Sequence, residues 1–101
     1  MAQGMTPQAL RVAPGTTVGL IVPEDERRRA IIIECVHATQ GATVGWSSSL
    51  TATTGHPLVA NRAAGSKFIV KGLAARKAMY AITGAGTSDL SIILSSDADI
   101  A

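Results

Sequence analysis

Alternation of apolar and polar side chains dominates the chain, and its clearest case is "AIIIECVH", Ala30 to His37. Successive side chains on a strand point to opposite faces, so Ile31, Ile33 and Cys35 are predicted to face a core. Ile32 and Val36 on the other side predict partial cover there too. "ALRVA" alternates with Leu10 and Val12 on one side, and "TTVGLIV", Thr16 to Val22, is rich in the β-branched residues that suit a strand. "ATVGW" is predicted to run back from the "TQG" turn as the partner of "AIIIECVH", ending at Trp46. "SKFIVKG" puts Phe68 and Val70 on one face, and "SDLSIIL" alternates Leu90, Ile92 and Leu94 with Asp89, Ser91 and Ile93.

Two stretches resist the pattern. "PEDERRR", Pro23 to Arg29, opens on proline, then acids, then bases, and reads as one helical turn or a polar loop; its three arginines beside three acids read as a solvated, self-neutralised corner. "LAARKAMYAIT" carries helix-favouring residues, but Gly72 and Gly84 bracket it, and its second half reads as a strand with Tyr80 and Ile82 in the core. That strand and Ser88–Leu94 read as a closing hairpin, which seats the last strand inside a sheet and leaves fewer open edges. Ser47 to Gly65 is a long small-residue and hydroxyl-rich segment with room for one short strand near "HPLVA".

The sum is an all-β domain: seven or eight short strands, roughly 10 residues apart, in an antiparallel β-sandwich or jelly-roll-like small barrel. The predicted core is Leu10, Val12, Ile31, Ile33, Cys35, Trp46, Phe68, Val70, Tyr80, Ile82, Leu90, Ile92 and Leu94. Residues 1–8 read as a flexible arm, 9–95 as the sandwich and 96–101 as a frayed tail.

Composition narrows the function. The chain has 101 residues, 47% apolar and 16% charged, which fits one ordered domain with a modest core. No leader peptide and no apolar run of membrane-spanning length is present, so no membrane partner is expected. Cys35 is the only cysteine, which rules out an internal disulfide and a multi-thiolate zinc site. A net charge of +2 and only three aromatic residues argue against direct nucleic-acid binding. No acid falls between Glu34 and Asp89, whereas Arg62, Lys67, Lys71, Arg76 and Lys77 do; these five are candidates for a basic face toward an acidic partner.

Chemistry is sparse. His37 and His56 are the only imidazole bases, and no serine lies in a Gly-x-Ser-x-Gly turn. Cys35 and His37 share a strand face, but a structural zinc needs four ligands. "GAGTSD" has the glycines of a phosphate loop without the Lys-Ser/Thr ending. No enzyme activity, cofactor or metal is expected; binding is, including binding to copies of itself.

The order "RRAIIIECV", "ATVGW", "GHPLVA", "GSKFIV", "MYAITGAGT", "SDLSIIL", from Arg27 to Leu94, resembles small β-sandwich virion structural proteins of tailed bacteriophages. One departure is Cys35-Val36-His37, where that pattern often has an asparagine before the turn. The resemblance implies a capsid decoration, or cement, protein. Such a protein is made in the host cytoplasm, sits on the head exterior as a dimer or trimer, and bridges major capsid subunits. On that reading Met1, Met5, Thr6 and Pro7 of the arm are candidate capsid contacts. The alternatives are a head-fibre, tail or baseplate module that uses Ser47–Gly65 on the host surface, and a small enzyme.

Overall fold

Strand pairing runs from the ends of the chain inward: first with last, second with seventh, third with sixth, fourth with fifth. The computed structural model describes residues 8–96. Its strands are β1 (Gln8–Val12), β2 (Gly19–Val22), β3 (Ala30–Cys35), β4 (Ala42–Gly45), β5 (His56–Leu58), β6 (Lys67–Lys71), β7 (Met79–Ile82) and β8 (Leu90–Ser95), with one 3-10 helix, Gly72–Arg76. They form two four-stranded antiparallel sheets, β1-β8-β3-β6 and β2-β7-β4-β5. This nested order is that of an eight-stranded jelly roll. The expected contacts Met1, Met5, Thr6 and Pro7 lie outside the described residues, as does the tail beyond Ser96.

The core lies between the sheets. Ile31, Ile33 and Cys35 of β3 meet Val70 of β6 and Leu90, Ile92 and Leu94 of β8 across one inner face. Val22, Ala42, Val44, Leu58, Met79 and Ala81 form the other. Val12 and Phe68 pack on its margin, half-buried.

Several expectations change. β4 does not pair with β3, because the chain crosses to the second sheet at the "TQG" turn; β3 lies between β8 and β6. β7 and β8 likewise belong to opposite sheets, so the closing pair is a crossover and not a hairpin. Its turn is tied to the other crossover: Thr83 N–H donates to Gly15 O at 2.8 Å and Ser88 N–H to Pro14 O at 2.9 Å. The last strand does sit inside a sheet, between β1 and β3. Tyr80 and Ile82 point outward and are half-buried, while Met79 and Ala81 face the core. "MYAI" is apolar in both phases, so alternation does not choose its inward face; Ala81 pairs with buried Val44. Leu10 points inward opposite Ile92 but is 39% exposed, because no strand covers the far side of β1 among the described residues. Trp46, one residue past the end of β4, is 44% exposed and lies outside the core.

The long segment after Trp46 is structured. It folds back over the outer face of the second sheet. Thr43 Oγ1 donates to Ala52 O at 2.9 Å, and Leu50 is buried against Gly45 and Gly55. A Cβ on Gly55 would stand 2.5 Å from Val44 O and 2.8 Å from Thr43 Cγ2. Gly55→Ala is therefore expected to lift this segment off the sheet and lower thermal stability by about 1–3 kcal/mol, the range for overpacking. A melting curve checks it, and an unchanged midpoint would mean the segment does not press on β4.

Candidate interaction surfaces

The two outer faces differ. The second sheet carries its own cover, the 47–55 segment. Among the described residues the first sheet has none. Register places Ala9, Ile93, Ile32 and Ile69 side by side across all four of its strands, all on the outward side. Ile32 and Ile93 are half-buried and Ile69 is 47% exposed. The neighbouring row runs Arg11, Ser91, Glu34, Lys67. Arg11 is held by Asp89, Nη1 to Oδ2 at 2.9 Å. The row is an apolar strip bordered by charge.

The five basic candidates separate into groups. Lys67 and Lys71 flank Ile69 on β6 and border the aliphatic row. Arg76 ends the 3-10 helix and Lys77 follows it; both line a groove with Glu24, Glu26 and Leu73, where acids balance them. Arg62 lies in the turn before β6, its backbone in the left-handed region (φ 56°) directly after Asn61 (φ 62°).

A third feature is aromatic. Trp46, His56 and Phe68 close the gap between the edges β5 and β6. His56 stacks on Phe68 with ring centres 4.3 Å apart, and Trp46 meets Phe68 edge-on at 6.0 Å. Trp46 Nε1–H donates to Ala74 O at 3.3 Å. Trp46 thus stands as a fixed wall between two open grooves. One, of about 590 Å³, is lined by Glu24, Lys77 and Tyr80; the other, of about 540 Å³, by Ser47, Ser49, Thr54 and His56.

The remaining candidate chemistry is engaged in the fold. His37 Nδ1 accepts the N–H groups of Thr39 and Gln40 at 3.2 and 3.0 Å. Cys35 is buried, with Sγ 3.3 Å from Ser88 Oγ and 3.4 Å from Gln40 O. Among the described residues no group of three or more His, Cys, Asp or Glu could hold a metal ion, and no helix is long and apolar enough to cross a membrane.

One residue escaped the sequence pattern. Arg28 belongs to the expected solvated corner but is buried. Its guanidinium donates through Nε to Ala75 O and through Nη2 to Lys77 O at 3.0 Å. Burial lowers its pKa from the ordinary arginine value, and the nearby Asp25 carboxylate opposes that shift. Backbone bonds reinforce the clamp: Asp25 N–H to Arg76 O and Gly72 N–H to Arg29 O, both 2.9 Å. The result fixes the 3-10 helix under Trp46.

No protein-family model matches the chain, and no curated protein matches it.

Proposed function

We propose that this protein is a virion structural protein, a capsid decoration (cement) protein that binds the outside of a tailed-phage head and bridges major capsid subunits. The observation that supports this reading is the outer face of the β1-β8-β3-β6 sheet, bare among the described residues, with its aliphatic row and bordering lysines. Monomeric proteins rarely leave a contiguous apolar strip open unless something docks on it. Lys67 and Lys71 suit a capsid surface with carboxylates beside an apolar strip. A jelly roll is compatible but not decisive, since capsid proteins, lectins and cupins all use it. A protein that binds only the closed shell stabilises that state by mass action, and contacts to several subunits let weak interfaces hold.

The test is addition of the purified protein to preformed empty heads. It should bind them and raise their resistance to heat. Ile69→Asp should weaken that binding at least tenfold, about 1.4 kcal/mol, because it places a charge in the apolar row. Its melting temperature should stay near that of the unaltered protein, since Ile69 is half open to water. Heads that bind Ile69→Asp as well as the original would remove this face from the interface.

A second reading rests on Trp46. A fixed, exposed indole beside a hydroxyl-lined groove suits a head-fibre, tail or baseplate module that takes sugars of the host surface, because a flat aromatic face with nearby polar groups grips such a ligand. Binding to host cells or glycans with head stability unchanged would favour it.

A further inference from the structure

Four strands end the two sheets: β1 and β6 in one, β2 and β5 in the other. An open edge offers unpaired N–H and C=O groups to any extended chain, and proteins blunt it with lysine, proline, bulges or brevity. Three of the four edges carry such a device. β6 has a lysine at each end, Lys67 and Lys71. β5 is three residues long with Pro57 at its centre. β2 breaks register between Leu20 and Val22. β1 has none of these. Its five residues keep unbroken register with β8 and include neither proline nor lysine. Its one charge, Arg11, is already tied to Asp89.

The side chains at this flank agree. Leu10 points toward the core layer yet is 39% exposed. A groove of about 400 Å³ runs along the same flank between Val12 and Leu20. Among the described residues no strand covers this margin, and a neighbour alongside β1 would.

We propose that β1 is a self-association edge: β1 of one copy pairs antiparallel with β1 of a second about a two-fold axis at Leu10, joining two four-stranded sheets into one of eight. A second copy fits for two reasons. Antiparallel pairing of identical strands closes on itself, so the assembly stops at two. With Leu10 opposite Leu10 of the second copy, both leucines are covered. Gln8 then falls opposite Val12, and Ala9 opposite Arg11, so no like charges oppose each other. The inference stands apart from the decoration reading: a dimer that ignores phage heads would sink that reading and leave this one.

Sedimentation equilibrium of the full chain tests it, alongside Leu10→Lys, Ile69→Lys and a form lacking residues 1–7. The unaltered chain should be a dimer. Leu10→Lys should raise the dimer dissociation constant at least tenfold (~1.4 kcal/mol) with melting little changed, since the side chain already reaches water. Ile69→Lys should remain dimeric. A monomer throughout, a trimer, or a dimer untouched by Leu10→Lys would overturn the proposal. So would a dimer lost on removing residues 1–7 but kept in Leu10→Lys, which would make that segment the occupant. Should Leu10→Lys not fold, Leu10→Cys decides. Cross-strand neighbours lie within disulfide reach, and buried Cys35 does not compete. Mild oxidation should link Leu10→Cys into a covalent dimer but not the exposed loop variant Thr53→Cys; no link, or equal linking of both, would reject the edge.

Discussion

Ile33→Asp should yield no folded protein. Ile33 is fully buried at the centre of the first sheet, with Phe68 of β6 on one side and Ile92 of β8 on the other. The change removes the burial of an isoleucine, about 2–3 kcal/mol. It also places a carboxylate where no basic group stands among its strand partners, which adds several kcal/mol or forces the acid to stay protonated. The sum approaches the roughly 5–15 kcal/mol that holds a typical domain together. Far-ultraviolet circular dichroism and the fluorescence of Trp46, the one tryptophan, read the outcome. Ile32→Asp is the control. Ile32 lies one residue away on the outward side, half-buried, so that variant should fold at reduced stability. A native spectrum from Ile33→Asp would mean that the inward phase of β3 has been misassigned.

Arg28→Met should lower stability by about 2 kcal/mol, or roughly 8–16 °C in melting temperature for a domain of this size. Methionine keeps the apolar stem but leaves the carbonyls of Ala75 and Lys77 without their charged donor. The removed guanidinium no longer has to be desolvated, which is why the loss is smaller than two charge-assisted hydrogen bonds taken separately. Arg28→Lys should recover little, because a single ammonium lacks the planar fork that reaches both carbonyls. The loss also has a local signature. The indole N–H of Trp46 is bonded to Ala74 in the same 3-10 helix. Its emission should therefore shift to the red in Arg28→Met below the global transition. A variant that melts lower with unchanged emission would place the effect of Arg28 elsewhere than at that helix.

The phase of a strand was readable wherever its two faces differ in chemistry. β3 and β8 keep one phase wholly apolar and place Glu34 and Ser91 in the other, and Ile31, Ile33, Leu90 and Ile92 fall inside as expected. β7 is not readable in this way, because Met79, Tyr80, Ala81 and Ile82 are apolar in both phases. Partnering was harder still. Short turns at 37–41 and 83–89 look like hairpin turns but carry the chain from one sheet to the other, and local sequence does not mark that difference. The candidate surfaces show the same limit. The aliphatic row Ala9, Ile93, Ile32, Ile69 draws one residue from each of four strands, so it exists only once register is set. Arg28 looks like its two arginine neighbours because charge predicts exposure, and the carbonyls of Ala75 in the 3-10 helix and of Lys77 just after it, 47 and 49 residues away, satisfy its buried guanidinium.

The nesting of the strands bears on how the molecule is made. Its innermost pair, β4 with β5, closes a short loop, while the outermost, β1 with β8, joins segments separated by nearly the whole polypeptide. Closing such large loops is slow, and topologies rich in distant pairings fold in milliseconds to seconds, well behind helical bundles. Because β8 lies between β1 and β3, β1 has no strand partner among the described residues, and β3 has only β6, until residue 90 has left the ribosome. Synthesis at about 5–20 residues per second therefore leaves the isoleucines of β3 waiting for several seconds, a window in which a chaperone would find them.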